Sequence, residues 1–284
     1  MIKSYKFRRG FMNTLVYVLL TVLGLIWISP LVYLVLHSFR DEGLSTVSYL
    51  LPKTYSFKNY IELFTDTATL NFPRWFMNTF VVAIFSCIIS TLAVLMVSYS
   101  FSRLRFKARK PLINIGMILG MFPGFMTMIA IYYLLKAMGL TQTLVALVIC
   151  YSAGAGLGYQ ISKGFFDTIP RALDEAATID GATRNQIFWK IILPMSKPIV
   201  VYTVLTSFIG PWTDFILAKI IMGDNRDNYT VAIGLQTMVS LEFKATYFKR
   251  FLAGSVIVAV PISILFLFMQ RYYVEGVTAG GVKG

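Results

Sequence analysis

The chain has 284 residues, of which 57% are hydrophobic and 14% are charged, and its mean hydropathy is +0.69. A soluble domain carries about 25% charged residues, so this composition excludes an ordinary soluble fold and predicts an all-α, polytopic membrane protein. The net charge of +13 is compatible with nucleic acid or with an anionic membrane surface. The distribution of the basic residues, given below, favours the membrane surface and predicts no nucleic-acid partner.

Six apolar runs predict six transmembrane helices. A helix needs roughly 20 apolar residues to cross about 30 Å of hydrocarbon, and helix is the state that satisfies the backbone inside a bilayer. Asp214 and Lys219 interrupt the fifth run, and Pro123 predicts a kink in the third. The spans lie at or within 14–36, 75–102, 111–135, 137–162, from about 199 onward, and 251–270.

The basic residues predict the orientation of these spans, because cytoplasmic loops carry an excess of Lys and Arg. With the N-terminus inside, the inner segments hold 16 of the 26 basic residues and 5 of the 13 acidic ones. The outer segments then hold 10 basic and 8 acidic residues. The asymmetry predicts a multi-pass protein of the cytoplasmic (inner) membrane with both termini in the cytoplasm.

The polar segments divide the chain into three parts. Residues 1–74 are expected to form an N-terminal cytoplasmic segment, the first span and an outer loop. That loop is too long for a hairpin, and its mixed aromatic and polar residues predict a short helix at about 59–64. Residues 75–271 are expected to form the transmembrane core, with a cytoplasmic loop at 165–198, and residues 272–284 a cytoplasmic tail.

The loop at 165–198 contains a polar island between two strongly apolar segments. Its pattern predicts two short helices, the first capped by Thr168. Gly181 breaks the run, because glycine accepts a left-handed turn conformation at little cost. Thr183 and Gln186 have the spacing of a capping box for the second helix, which is expected to end at Pro194.

The order of residues in this island resembles the cytoplasmic "EAA" loop of bacterial ABC importer permeases. The resemblance rests on Glu175-Ala-Ala, then Asp180-Gly-Ala, then Ile191-Ile-Leu-Pro. It implies a coupling helix that docks into a groove of a separate ATPase subunit. An amphipathic hairpin that only tethers the loop to the membrane surface is the alternative. The residues to which the resemblance assigns coupling are Glu175, Ala176, Ala177, Asp180, Gly181, Ala182, Ile191, Leu193 and Pro194.

The entry to the second span at 75–79 and the stretch 121–140 look like the transport core of ABC importer permeases. The C-terminal tail narrows the resemblance to carbohydrate importer permeases of the maltose-transporter G-subunit type. The tail at 275–284 is similar to a tail that, in this subfamily, reaches the interface between the two ATPase subunits. A frayed terminus is the alternative. The tail contacts so implied are Thr278, Gly280, Gly281 and Lys283.

The chain lacks the G-x-x-x-x-G-K-[ST] phosphate loop, so we expect a transport subunit rather than an enzyme. ATP and Mg would bind to partner subunits, and no cofactor is expected on this chain. A metal site is not expected, because His37 is the single histidine and no paired carboxylates lie in the spans. The resemblance implies a second homologous permease as heterodimer partner, two cytoplasmic ATPases and an extracytoplasmic solute-binding protein, all acting within membrane lipid.

Sugar binding needs aromatic faces together with hydroxyl and amide groups, and several residues in the spans offer them. Asp214 is the acid closest to a membrane interior, where an acid costs roughly 2.5–3.5 kcal/mol. It either lines the path or lies near the outer interface and pairs with Lys219 or the partner subunit. The candidates for the substrate path are Asn78, Thr127, Tyr132, Tyr151, Ser152, Thr206, Trp212 and Asp214.

Three other functions remain open from the sequence. An ABC permease for a non-sugar solute fits the coupling loop but not the tail. An ion-coupled secondary transporter needs titratable groups within the membrane, for which Asp214 alone is thin support. A membrane enzyme needs a convergent acid, base or nucleophile set, which the sequence does not offer. The identity of the sugar is not readable from the sequence.

Overall fold

The computed structural model describes residues 2–42, 51–155, 158–240 and 244–281, with side chains omitted at 2–9, 155, 244–245 and 273–281. Within these ranges the regular structure is helical, apart from one isolated bridge between Arg40 and Tyr55. The helices are α1 Ile2–Ser38, α2 Lys58–Thr65, α3 Phe72–Arg103, α4 Arg109–Gly120, α5 Gly124–Ala137, α6 Leu144–Ala155, α7 Tyr159–Thr168, α8 Ala172–Ile179, α9 Arg184–Ile187, α10 Leu193–Met195, α11 Lys197–Thr213, α12 Ile216–Met222, α13 Val231–Met238 and α14 Lys244–Gly281.

Three of these helices are long and apolar enough to cross a membrane by themselves, namely α1, α3 and α14. Three bent pairs also pass the same test when each is taken as one span. The pairs are α4 with α5, α6 with α7, and the stretch Arg184–Met195 with α11. The protein is therefore an all-α polytopic membrane protein, and the predicted six spans require that each bent pair makes a single crossing.

The third predicted span is broken sharply rather than gently kinked. α4 and α5 meet at an angle of 102° around Pro123. Proline has no N–H for the helix ladder, and it disfavours helical backbone in the residue before it. Gly116, one turn before the break, packs its backbone against the Tyr159 ring, where an added Cβ would lie 3.3 Å from Cε1.

By contact density the chain forms two compact units. The first comprises residues 1–70 and 237–257 and contains the predicted short helix, found as α2. Arg250 ties this helix to the start of α14, with Nη2 2.8 Å from Glu62 Oε2 and Nη1 2.7 Å from Asp66 Oδ2. The Asn59 side-chain amide donates to Ser38 O and Arg40 O, which anchors α2 to the end of α1.

The second unit comprises residues 71–236 and 258–284, and α3 packs along α6, α7 and α11 within it. Small hydroxyl residues recur on the buried face of α3 and allow its neighbours to approach closely. Ser90 Oγ donates to Tyr151 O at 3.4 Å, and Ser98 Oγ donates to Tyr159 O at 3.0 Å. These bonds hold the backbones of α6 and α7 against α3.

Trp75 anchors the start of α3. Its side chain is buried, and Nε1 donates to Arg226 O at 3.0 Å. The face of its ring lies directly against the backbone of Gly234 in α13, where an added Cβ would be 2.0 Å from Trp75 Cε3. Only glycine therefore fits at this position.

The variant Gly234→Ala is expected to destabilise the protein by about 1–3 kcal/mol, the usual cost of overpacking. The thermal unfolding midpoint of the purified protein in detergent measures this effect. Gly24→Ala is the matched control, because no atom lies within 4 Å of a Cβ built at Gly24. Equal midpoints for the two variants would contradict the expectation.

Candidate functional site

The polar island forms two short helices, α8 and α9, joined by a tight turn. Gly181 has φ +81°, the left-handed conformation that glycine adopts without strain. The turn is closed by the Gly181 N–H, which donates to Thr178 O at 3.1 Å, and by the Ala182 N–H, which donates to Ala177 O at 2.9 Å. The predicted role of Gly181 in the turn is confirmed.

The start of the second short helix is also as predicted. Thr183 and Gln186 form a reciprocal capping box: Thr183 Oγ1 accepts from Gln186 N at 3.3 Å, and Gln186 Oε1 accepts from Thr183 N at 2.8 Å. Two backbone donors that the helix itself cannot satisfy are thereby paired.

The predicted cap of the first helix is wrong. Thr168 is the last residue of α7, and its hydroxyl donates backwards to Phe165 O at 2.7 Å. α8 begins only after Arg171 and has no side-chain cap. A threonine near a helix boundary can end one helix or start the next, and the local sequence does not decide between them.

The second helical stretch ends at Met195, one residue after the predicted end at Pro194, which is within the precision of a helix boundary. After α9 the chain makes a π-helical turn over Phe188–Ile192, in which the Leu193 N–H donates to Phe188 O. Pro194 then lies in the first turn of α10, where its missing N–H costs nothing. The axis bends by 85° between Arg184–Met195 and α11, so the segment lies at a steep angle to the following helix.

The apolar face of the second helix is packed against the end of α3. Ile187, Phe188 and Ile192 are buried there, and the Tyr99 ring centroid lies 4.9 Å from that of Phe188. The Tyr99 hydroxyl donates to Arg184 O at 3.2 Å. This face is therefore occupied within the protein, and the opposite side of the segment is the exposed one.

The residues with predicted coupling roles fall into three groups by exposure. Glu175, Ala176, Asp180, Gly181 and Pro194 are exposed, Ala182, Ile191 and Leu193 are half-buried, and Ala177 is buried. Two exposed apolar side chains of the same segment were not predicted. Ile179 is 86% exposed and Trp189 is 44% exposed. Their positions outside the apolar face formed by Ile187, Phe188 and Ile192 could have indicated this exposure.

Arg103, at the end of α3, holds the first short helix in place. Its side chain is 4% exposed, and Nη1 lies 3.1 Å from Asp174 Oδ2. Nη2 donates to Phe166 O and Ile169 O, both at 2.8 Å. We call this set the Arg103 latch. From the sequence, Arg103 was expected only to contribute to the orientation of the spans, although its place directly after a long apolar run was a signal of another role.

Neighbouring polar contacts reinforce the latch. Ser102 Oγ donates to Asp167 Oδ1 at 2.6 Å, and Lys163 Nζ lies 2.6 Å from Asp167 Oδ2. Arg171 Nη2 donates to Ser102 O at 3.3 Å. The end of α3 is thus bonded both to α7 and to the link that leads into α8.

A cleft of about 620 Å³ opens between the latch and the two short helices. It is lined by basic, acidic and apolar side chains, among them Arg103, Arg105, Asp174, Glu175, Ile179 and Arg184. Its volume lies within the range of roughly 300–1,000 Å³ that is usual for ligand pockets.

A second cavity, of about 270 Å³, lies among α3, α6, α7 and α11. It contains Tyr151 and Thr206 of the eight predicted path residues. Five further hydroxyl residues that were not predicted also line it, namely Ser90, Ser162, Tyr202, Thr203 and Ser207. Their signal was the occurrence of several hydroxyls inside otherwise apolar runs.

Asp214 joins this group through Tyr151, whose hydroxyl donates to Asp214 Oδ2 at 3.0 Å. Asp214 Oδ1 accepts from the Leu217 N–H at 3.1 Å, at the start of α12. The ion pair between Asp214 and Lys219, which the sequence left open, is not found. Lys219 Nζ instead lies 3.5 Å from Asp224 Oδ1. Asp214 therefore orders the junction between α11 and α12 beside the cavity.

The other path candidates lie outside the lining of that cavity. Asn78 donates both amide hydrogens to Asp227 O and Tyr229 O and so braces a turn. Trp212 packs edge-on against Phe76, at 5.1 Å between ring centroids. The remaining three are Ser152, which is buried, Tyr132, which is half-buried, and Thr127, which is exposed.

The predicted tail contacts cannot be described in full. The backbone of α14 is helical to Gly281, but the side chains of 273–281 and all of Lys283 lie outside the described residues. In the part of the chain with described side chains, no group of three or more His, Cys, Asp or Glu residues could hold a metal ion.

Comparison with protein families identifies similarity over most of the chain. The family described as "Binding-protein-dependent transport system inner membrane component" matches residues 89–278. The galactooligosaccharides transport system permease protein GanQ of Bacillus subtilis (strain 168) is 34% identical, with 100% of both chains covered. The maltodextrin transport system permease protein MalD of Streptococcus pneumoniae (strain ATCC BAA-255 / R6) is 32% identical, with 99% of both covered.

A solved structure shares the fold. It is described as a bacterial ABC transporter involved in the import of the acidic polysaccharide alginate, and it superposes with a TM-score of 0.77 at 21% identity. The match covers 93% of this chain and 97% of that one. The helical arrangement is therefore that of an ABC importer permease.

Proposed function

Because this chain belongs to the family of binding-protein-dependent transport system inner membrane components, we propose that it is the permease subunit of an ATP-driven importer for an oligosaccharide. The sugar class is supported by its relatives, which are named for galactooligosaccharides and maltodextrin and match over nearly their whole length. A permease for a non-sugar solute is the alternative.

The coupling of this permease to separate ATPase subunits is supported by one observation above all. The segment α8–α9 exposes Glu175, Ala176 and Gly181, while its opposite face is buried against α3. A segment that is packed firmly on α3 can transmit a displacement to that helix, whereas a loosely attached loop would move without displacing it. The bare glycine turn and the exposed Ile179 side chain offer a compact apolar contact for a partner groove.

In the proposed mechanism, closure of two ATPases around ATP moves this segment as a body. The Arg103 latch and the Tyr99–Phe188 contact pass that movement to α3, and α3 passes it to α6, α7 and α11, which pack along it. These four helices enclose the hydroxyl-lined cavity. The path then switches from inward-facing to outward-facing, and the chain itself performs no bond chemistry.

The remaining partners and the topology belong to the same proposal. A second homologous permease completes the path, an external solute-binding protein delivers the sugar, and ATP and Mg bind only to the ATPases. Residues 75–271 form the permease core, the loop 165–198 and the tail 272–284 face the cytoplasm, and residues Thr278, Gly280, Gly281 and Lys283 approach the ATPases. Both termini lie in the cytoplasm in this proposal, which the excess of basic residues in the segments assigned to that side supports.

Transport by the reconstituted complex tests the proposal. Proteoliposomes that contain this chain and its partners are expected to take up a labelled galacto- or maltooligosaccharide only with ATP and the binding protein. Uptake of an amino acid, and not of the sugar, would favour a permease for a non-sugar solute. Uptake that persists without ATP and stops when an ion gradient is dissipated would favour a secondary transporter.

The hydroxyl-lined cavity makes a separate prediction about the path. Thr206→Val keeps the shape of the side chain but removes its hydroxyl, and the loss of one hydrogen bond costs about 0.5–1.5 kcal/mol. The KM for sugar uptake is therefore expected to rise about 2- to 10-fold, with protein levels unchanged. Thr21→Val is the matched control, because Thr21 is exposed on α1 outside this cavity and, like Thr206, donates its hydroxyl to the carbonyl four residues earlier. An unchanged KM for Thr206→Val would remove Thr206 from the path.

A further inference from the structure

A groove of about 370 Å³ runs between α4 and α7. It lies apart from the hydroxyl-lined cavity and from the cleft beside the latch, with which it shares no lining residue. Its polar lining includes three cations, Arg109, Lys110 and Lys163, and its apolar lining includes Ile113 and Met117. Of these side chains, the transport mechanism above uses only Lys163, whose contact with Asp167 reinforces the Arg103 latch.

The groove has a charged end and an apolar end. Tyr159 marks the apolar end, because its hydroxyl donates to Ile113 O at 3.2 Å and its ring packs on Gly116. From there α4 runs back to Arg109 at its first residue, while α7 runs forward to Lys163. The three cations therefore lie together, and Ile113 and Met117 continue away from them along α4.

The charges at the polar end are only partly neutralised. Lys163 is paired with Asp167 at 2.6 Å. Arg109 Nε donates to Phe101 O at 2.7 Å, and no hydrogen bond to its two terminal nitrogens is found among the described residues, although its charge also acts on Asp167. Lys110 is exposed and likewise makes no ion pair within the described part of the chain. Three cations against one carboxylate leave an excess of positive charge.

We propose that this groove binds the phosphate headgroup of an anionic phospholipid, with one acyl chain along Ile113 and Met117. The arrangement matches the lipid, because cations beside an apolar strip at the end of a span are complementary to a phosphate beside a hydrocarbon chain. The Arg109 guanidinium suits two oxygens of one phosphate, and the first amides of α4 add positive partial charge. A free anion would gain nothing from the apolar end.

Lipid titration of the full chain, purified in detergent with its partner permease, tests this site by native mass spectrometry. Phosphatidylglycerol is expected to bind more tightly than phosphatidylcholine. A lysine near a membrane surface contributes about fivefold in affinity for anionic lipid, so Lys110→Gln with Lys163→Gln is expected to weaken phosphatidylglycerol binding about 30-fold. Lys190→Gln with Lys197→Gln, an equal loss of charge at exposed positions outside the groove, should leave it unchanged.

A single variant and a competition with inorganic phosphate complete the test of the lipid site. Lys163 also holds Asp167, so Lys110→Gln alone, with an expected fivefold loss, replaces the double variant if that one does not fold. Inorganic phosphate in large excess over the lipid should not displace it from the wild-type protein. Any one of four results would overturn the proposal. They are equal binding of both lipids, unchanged affinity in Lys110→Gln, displacement of the lipid by free phosphate, and binding only when the partner permease is absent.

Discussion

Replacement of Arg103 by glutamine is expected to loosen α8 from the end of α3 and to cost about 3 kcal/mol, the low end for breaking a buried ion pair. The guanidinium is 4% exposed and joins Asp174 with two backbone carbonyls. Without it Asp174 and both carbonyls lose their donor. Amide hydrogen exchange across 166–179 should accelerate about 100-fold, which is the same free energy expressed as a rate ratio.

The exposed neighbour Arg105 provides the matched control for this variant. It lines the same cleft, so Arg105→Gln removes an equal charge but leaves the latch intact, and its exchange rates should match those of the wild type. Asp174→Asn completes a double-mutant cycle, in which the two single effects should not add. Additive effects, or unchanged exchange in Arg103→Gln, would contradict the latch.

Substitution of Gly181 by valine is expected to lower ATP-dependent uptake at least tenfold while membrane insertion and ATP hydrolysis persist. No atom lies within 4 Å of a Cβ built at Gly181, but φ is +81°. The effect therefore comes from backbone strain of about 1–3 kcal/mol, which is worst for a β-branched residue, and from added bulk on the proposed docking turn. Uptake and ATPase rates in the same proteoliposomes measure it.

Gly181→Asn separates strain from bulk. Asparagine tolerates positive φ better than other non-glycine residues, so this variant should keep the turn and lose uptake only through the added side chain. Valine is expected to be the more severe of the two. Normal uptake in Gly181→Val would refute the coupling role of this turn.

Local features of the coupling segment were predictable because each depends on neighbours in sequence. The left-handed turn follows from the absence of a Cβ at Gly181, and the capping box follows from the spacing of Thr183 and Gln186. The helix at 58–65 and the break at Pro123 were predictable for the same reason, since each depends on residues close in sequence. The failure at Thr168 arose where two local rules compete and packing decides between them.

Contacts between distant segments were not predictable from the pattern. Arg103 reads as an orienting charge, yet it is buried because carbonyls from the α7–α8 link converge on it. The sequence pattern of the apolar face that starts at Ile187 is compatible both with docking to a partner and with internal packing. In the structure this face packs on α3. Of the eight path candidates, only Tyr151 and Thr206 line the cavity, because residue type records what a side chain can bond to and not which helices meet.

The sequence by itself determined the membrane class, the apolar runs that supply the spans and the position of the polar segment with its glycine turn. These follow from composition and from interactions within a few residues. Only the tertiary structure decided which side of that segment is free, what fastens it to α3 and which hydroxyls share a cavity. The physical reason is that burial and hydrogen bonding there join residues about 60 to 120 positions apart.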